Sequence, residues 1–428
     1  MVGQKASAVR IKYFGAEPLV SNTSKLYNNI VSFFDTQKDI FIVCCLKLKE
    51  LFMKKVIFSI VVIAIFFIQG RVLSAQEVKE DYVKFGGAVR YNIYEKSWSN
   101  NDADPQLTWD TWRLNVKART SNVDLDFEYR FYPNYDTHFI HHGWLGYSFT
   151  DKLYMKLGVC QVPFGITKYA SHSWWFQIPY YVGLEDDYDI GIKFDYTGIE
   201  NLTLNFAYFH QAEPRGTLNE AARYSYDITS SDDASLKEVR QFNIRVAYSV
   251  TENVEIGISG QFGQNYNSVL NESEASNAFG AHIVANLGDF NFKGEYITYD
   301  YGAKDNEGNE LDKVQMGAYG SNYNVAAKAD IWVAGLAYSI PVKLGPISNI
   351  QPYIDYSLIT KSDEDFFNSE HLVPGFLVTA GNIYTYVDWA FGRNDAWLGN
   401  NNWTNGLAEG SDQSGWDRRF NINIGYYF

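Results

Sequence analysis

The chain has 428 residues, of which 46% are hydrophobic and 17% aromatic (32 Tyr, 29 Phe and 11 Trp), and its formal net charge is −14. The apolar share is too low for a bundle of membrane helices, and the acidic balance argues against nucleic acid as a partner. Cysteine is scarce: Cys44 and Cys45 lie upstream of the expected mature start and Cys160 stands alone after it, which excludes a disulfide framework and a thiolate metal cluster there.

Residues 1–52 show no sustained period. Met53-Lys54-Lys55 then opens an apolar run from Val56 to Ile68, and Leu73-Ser74-Ala75 precedes Gln76. A charged start, an apolar run and a small residue before the cut read as a secretory signal. The run is shorter than the about 20 residues that a membrane-crossing helix needs. The expected organisation is an upstream extension 1–52 that arises from gene calling, a signal peptide 53–75 and a mature domain 76–428. A genuine cytoplasmic extension is the alternative for 1–52. Residues 1–75 hold ten of the 36 Lys+Arg and four of the 50 Asp+Glu, leaving 26 basic against 46 acidic residues and a net charge of −20.

From Tyr82 onward no helical period is evident, and β segments recur between turn signals. Val123 to Phe131 is the clearest. Val123, Leu125, Phe127, Tyr129 and Phe131 alternate with Asp124, Asp126, Glu128 and Arg130. The charged face does not suit a dry core and the apolar face does not suit water; lipid outside and water inside satisfies both. Sixteen strands are expected, at 82–96, 107–119, 123–132, 140–149, 153–163, 188–197, 202–213, 239–250, 254–266, 277–287, 290–301, 325–340, 348–361, 372–380, 383–392 and 416–428. In 325–340 both parities are apolar, so its face is ambiguous.

The connections alternate strictly. Short turns are expected at Thr120 to Asn122, Thr150 to Lys152, Thr197 to Asn201, Thr251 to Asn253, Gly288-Asp289, Pro341 to Pro346 and Gly381-Asn382. Long loops fall near 97–106, 133–139, 164–187, 214–238, 267–276, 302–324, 362–371 and 393–415. That parity puts short turns on one rim and long loops on the other, as in barrels with periplasmic turns and extracellular loops. A sandwich has no reason to keep it. An open sheet would leave unpaired edges in lipid at several kcal/mol per group. The expected fold is therefore an all-β, closed antiparallel transmembrane barrel of about sixteen strands with a water-filled bore. The final stretch, WDRRFNINIGYYF, fits: Phe420, Ile422, Ile424, Tyr426 and Phe428 share one face, and Asp417, Arg419, Asn421 and Asn423 the other. It resembles the closing strand of bacterial outer-membrane barrels, which pairs with the first strand and carries the assembly signal.

Gly158-Val159-Cys160-Gln161-Val162-Pro163-Phe164-Gly165 runs a strand into a Val-Pro-Phe-Gly corner, followed by a long loop and Asp-Tyr-Asp-Ile-Gly at 187–191. With Val373-Pro374-Gly375, Gly381-Asn382, Tyr386-Val387-Asp388 and Gly392-Arg393-Asn394, this resembles the phosphate-selective porin O/P family over Tyr82 to Phe428. The resemblance implies a sixteen-stranded, usually trimeric channel in the outer membrane of a Gram-negative bacterium, amid lipid and lipopolysaccharide. Phosphate-selective members use inward Arg and Lys rows with lysines on constriction loops. This chain departs there, since 165–187 carries one lysine, Lys168, beside Glu185, Asp186 and Asp187.

Two regions are candidate pore elements. Lys84 and Arg90, then Arg113, Lys117 and Arg119, then Arg419 share the polar parity of three strands that closure makes adjacent. They are expected to form a basic wall beside Asp124, Asp126 and Glu128. The competing reading is a solvated face, paired to Asp417 and Asp124. Loop 164–187 is the second. Trp174, Trp175, Phe176, Tyr180 and Tyr181 need burial, and folding into the bore as a constriction loop supplies it. Glu185, Asp186 and Asp187 would then face the basic wall and set up a transverse field; a hydrated loop foot or a Ca²⁺ site are the alternatives. Loops 214–238 and 302–324 are expected outside the bore. His138, His141 and His142 do not share a strand face and read as surface histidines. No nucleophile elbow, His-Glu-x-x-His or phosphate-binding loop occurs. The leading function is a channel for passive diffusion of small hydrophilic solutes, anions such as phosphate included, with neither enzymatic activity nor a cofactor. A barrel-displayed binder or adhesin, or a barrel enzyme, are the alternatives.

Overall fold

The computed structural model describes residues 79–99, 105–399 and 403–428. The expected extension 1–52 and signal peptide 53–75 lie outside the described residues. In chain order the strands are β1 (Tyr82–Lys96), β2 (Gln106–Thr120), β3 (Val123–Tyr132), β4 (Thr137–Thr150), β5 (Leu153–Gln161), β6 (Tyr188–Ile199), β7 (Leu202–Ala212), β8 (Asp227–Ile228), β9 (Leu236–Thr251) and β10 (Val254–Asn267). They continue with β11 (Glu272–Leu287), β12 (Phe290–Tyr301), β13 (Lys313–Ala318), β14 (Ser321–Ala326), β15 (Lys328–Tyr338), β16 (Ile340–Leu344), β17 (Ile347–Lys361), β18 (Ser369–Ala380), β19 (Ile383–Arg393) and β20 (Asp417–Tyr427). Among the described residues one α-helical turn, α1 (Ile178–Tyr181), lies between β5 and β6, and a 3-10 turn, Pro133–Tyr135, between β3 and β4.

All but β8, β13 and β14 join one antiparallel sheet. β15 and β16 are two parts of one stave, broken at Ser339, so the wall has sixteen staves. It closes where β20 pairs with β1, from Lys96↔Arg419 to Ala88↔Tyr427. Beyond the last pair, the Phe428 amide donates to the Gly87 carbonyl (3.1 Å) and the Gly87 amide to the Phe428 carbonyl (2.9 Å). Closure leaves no unpaired edge.

Alternation sorts the side chains. On β20, Arg419, Asn421 and Asn423 are buried inside, while Ile424, Tyr426 and Phe428 are exposed on the outer surface. Val83, Phe85, Leu114, Leu145, Leu157, Trp332 and Leu336 join them there. Cross-strand pairs such as Trp112 stacked on Phe131 (3.8 Å between centroids) hold this outer belt together. An apolar exterior around a polar interior is the outer-membrane build.

Every short connection is a two-residue turn, at 121–122, 151–152, 200–201, 252–253, 288–289, 345–346 and 381–382. Ser121 and Asn122 both have positive φ (51° and 65°), as a type I′ hairpin demands. Of the expected longer turns at 197–201 and 341–346, residues 197–199 and 341–344 are strand, and Pro341 is absorbed by an irregularity in the β16–β17 ladder. The long-loop rim differs more. Polar residues made 267–276 look like a loop, yet the β10–β11 ladder runs on to Asn267↔Glu272. A strand that has left the membrane no longer needs an apolar face.

The expected strand 325–340 is two things. Residues up to Ala326 belong to β14, which forms with β13 and β8 a separate three-stranded sheet. The wall stave starts at Lys328. Its doubled apolar parity has a cause: Ala329, Ile331 and Val333 point inward into a hydrophobic cluster built from the loops. The loops expected outside the bore at 214–238 and 302–324 contribute Tyr226, Met316 and Tyr323 to that same cluster.

Candidate functional site

The connection from β5 to β6, residues 162–187, folds into the barrel. At its corner Gly165 has φ +55°, and a Cβ there would collide with the Glu295 carboxylate. The positive φ and the close approach explain the glycine of the Val-Pro-Phe-Gly corner. The Gly165 amide donates to Ser259 Oγ (3.0 Å), the Ile166 amide to Glu295 Oε1 (3.1 Å), and Arg245 Nε to the Gly165 carbonyl (2.7 Å). Three staves, β9, β10 and β12, thus grip the corner.

Further along, Lys293 Nζ donates to the Tyr169 and Ser171 carbonyls (2.7 and 2.8 Å). Asp355 of β17 accepts the His172 amide (2.7 Å) and the Ser173 amide (2.8 Å), and its other oxygen lies 2.8 Å from His172 Nδ1. Gly335 of β15 makes room: a Cβ would sit 2.7 Å from Asp355 Oδ1 and 3.0 Å from His172 Nδ1. The loop is therefore seated against β9–β17, the wall opposite β1–β3. Tyr301 and Tyr323 hold it from above, donating to the Val182 and Tyr181 carbonyls (2.6 Å each).

Among the aromatic loop residues, Trp175, Tyr180 and Tyr181 are buried and Trp174 and Phe176 half-buried. Lys168 is exposed. Glu185 and Asp187 do not face the basic wall; Asp186 alone lies near enough for Arg130 to act on it. All three are buried and tie the loop to itself and its base. Glu185 accepts the Ala170 amide (2.9 Å), and Asp186 accepts Gln161 Nε2 (2.9 Å) and the Tyr224 hydroxyl (2.6 Å). Burial pushes Asp186 up to about 6, against the hydrogen bond from Tyr224 that lowers it. Burial, with Asp227 alongside, pushes Asp187 well above the usual carboxylate range. The expected transverse field is reduced to the action of Asp186 on Arg130, because Glu185 and Asp187 are spent in tying the loop to itself and its base.

The opposite wall carries the expected cations, interleaved with acids. Arg90 pairs with Asp110 (2.8 Å), Arg113 with Glu128 (3.3 Å), Lys117 with Asp126 (3.4 Å) and Arg119 with Asp124 (2.6 Å). Arg130 shares Glu128 with Arg113. Sequence reasoning missed Asp110 and Arg130 as wall members, although Arg130 lies on the same parity as Asp124. Lys84 is exposed, 5.2 Å from the Tyr82 ring. Arg419, like Lys84, has no carboxylate within ion-pair distance among the described residues; it stacks on Tyr94 (4.2 Å) and Trp175 (4.9 Å). The histidines are not a surface group. His138 faces outward, bonded to the Tyr129 hydroxyl (2.7 Å), but His141 is buried and His142 lies 3.2 Å from Asp126. A ladder irregularity at Glu128/Tyr129 lets both point inward.

Between the basic wall and the loop lies a cavity of about 180 Å³. Arg90, Arg113, Arg130 and Arg419 line it with a single carboxylate, Asp110, and the rest is largely aromatic, including Trp174, Trp175, Tyr180, Tyr386 and Tyr427. Guanidinium groups beside ring faces bind anions through paired donors and planar bodies through stacking.

No family model and no curated protein matches the sequence. Solved structures do match in fold. The outer membrane channel DcaP of Acinetobacter baumannii superposes with a TM-score of 0.53 at 11% identity, over 83% of this chain and 100% of that one. An anion-selective porin from Comamonas acidovorans gives 0.52 at 12% identity, over 82% and 100%. Salmonella typhi OmpF in complex with daunomycin gives 0.54 at 10% identity, over 81% and 98%.

Proposed function

We infer that this barrel, which has the fold of outer-membrane channels, sits in the outer membrane of a Gram-negative bacterium. We propose that it is a porin through which small hydrophilic solutes diffuse passively, with a preference for small anions such as phosphate. The observation that carries this reading is the chamber between wall and loop, where four guanidinium groups outnumber Asp110. Glu185 and Asp187 are turned away, and the four guanidinium groups still outnumber Asp110, Glu128 and Asp186 around them, so a solute in the chamber meets an excess of positive charge. The aromatic lining favours an anion with a planar or apolar body, such as a carboxylate. Membership of the phosphate-selective porin O/P family, supported by the corner at Gly165, is part of the proposal. So is the homotrimer that this resemblance implies, which light scattering in detergent checks.

Arg419 tests the reading, since it is not committed to an ion pair. One unit charge about 8 Å from a permeating ion contributes about 0.5 kcal/mol in water and about 2 kcal/mol at an effective dielectric near 20. Arg419→Glu changes the local charge by two units. In planar bilayers under a low-salt gradient, where screening is weak, the reversal potential of the wild type is expected on the anion side and that of the variant shifted toward cations. Identical potentials would remove Arg419 and its chamber from the conduction path.

A further inference from the structure

Away from the chamber, four carboxylates meet behind the foot of the inner loop. Asp187 ends the loop, Asp189 lies at the start of β6, and Asp227 forms β8. One oxygen from each lies within 4.8 Å of the others. Glu213, just past β7, lies against Asp227. All four residues are at least nine-tenths buried.

Each holds its place with one oxygen. Asp189 Oδ2 accepts Gln241 Nε2 (3.2 Å), Asp227 Oδ2 accepts Arg223 Nη1 (2.8 Å), and Glu213 Oε1 accepts the Ser225 amide (2.9 Å). Ser225 also bonds Asp187. The other oxygens, Asp187 Oδ1, Asp189 Oδ1, Asp227 Oδ1 and Glu213 Oε2, are buried and have no hydrogen-bond partner among the described residues. Among the described residues Arg223 is the single cation paired within the group. Four converging carboxylates against one guanidinium are costly in a dry site, and each unpartnered oxygen adds to that cost.

We propose that Asp187, Asp189, Asp227 and Glu213 bind one calcium ion. The donors are all hard oxygens, which excludes the thiolate and imidazole chemistry of zinc or copper sites. Calcium takes about six to eight oxygens at about 2.3–2.6 Å in flexible geometry, whereas magnesium keeps several of its waters. Buried carboxylates at this spacing suit the former. The ion ties three separate pieces together: the loop foot through Asp187, the wall through Asp189 and Glu213, and the outer loop through Asp227. It acts as a clip on the loop that narrows the bore, whatever solute passes.

Terbium replaces calcium and reports it, because neighbouring Tyr188 and Tyr224 can sensitise its emission. The folded barrel, treated with EDTA and dialysed, is titrated with Tb³⁺, then with Ca²⁺ or Mg²⁺ as competitor. The expected result is one saturable terbium per chain, displaced by calcium at far lower concentration than by magnesium, and a thermal midpoint raised by calcium. Asp189→Asn with Asp227→Asn should weaken terbium binding by at least about tenfold, while Asp305→Asn on an exposed loop leaves it unchanged. Heat-modifiable migration on gels establishes that the double variant is folded. Elemental analysis of the wild type after dialysis from calcium should find one ion per chain, independently of any variant. No emission and no retained calcium in the folded wild type would overturn the site, as would a folded double variant that binds as tightly.

Discussion

Asp355→Ala is expected to release the inner loop and raise single-channel conductance. Asp355 accepts two successive loop amides and faces His172. It is 1% exposed, so no water stands ready to replace it. Truncation leaves these donors unpaired, and each buried unpaired group costs about 1–3 kcal/mol. For the two amides and the His172 ring the total is roughly 3–9 kcal/mol on that scale, leaving Lys293 Nζ and Ser357 Oγ, which accepts the Ile178 amide (3.1 Å), as the nearest remaining holds on the loop. The barrel itself should still form, because its wall ladders do not pass through the Asp355 side chain. Conductance equal to wild type in planar bilayers would mean that the loop does not limit the bore.

Leu336→Arg is expected to destabilise the barrel by about 2–4 kcal/mol in denaturant titrations, the cost of an arginine facing lipid near the bilayer midplane. Leu336 is exposed on the outer surface, midway along the stave that runs from Lys328 to Leu344. Leu344, also exposed, stands beside the turn at Gly345, and Leu344→Arg should cost only about 0–1 kcal/mol. The contrast is the measurement. Two equal, small effects would show that the apolar belt does not face hydrocarbon.

The wall was legible because its information is local. The alternation at Val123 to Phe131 and at Phe420 to Phe428 needs no partner to be read, and the turn signals supply strand order through their parity. Part of the site was legible for the same reason. The shared polar parity of Lys117, Arg119, Asp124 and Asp126 was readable, whereas their register was not: the turn is Ser121-Asn122, one residue shorter than the expected Thr120 to Asn122, and it sets Arg119 opposite Asp124 and Lys117 opposite Asp126. What escaped depended on distance in sequence. Asp355 meets His172, and Asp187 meets Asp227, through contacts that no periodicity announces. The small sheet of β8, β13 and β14 escaped because its strands are short and cap a loop rather than span a membrane. His141 turned inward on a ladder irregularity that alternation alone cannot show.

The stave at β15 is set in its alignment by volume. Slipping it by one residue would exchange its two faces, an error that most strands forbid by putting charge into lipid. Here the exchange beyond Lys328 and Asp330 is apolar for apolar: Ile331 and Val333 for Trp332 and Leu336. Polarity therefore discriminates little. Size does, since Ala329, Gly335 and Ala337 line the inside while Trp332 and Leu336 stand outside, and any side chain in place of Gly335 would strike His172. The loop that fills the bore is thus also the gauge against which this strand is measured.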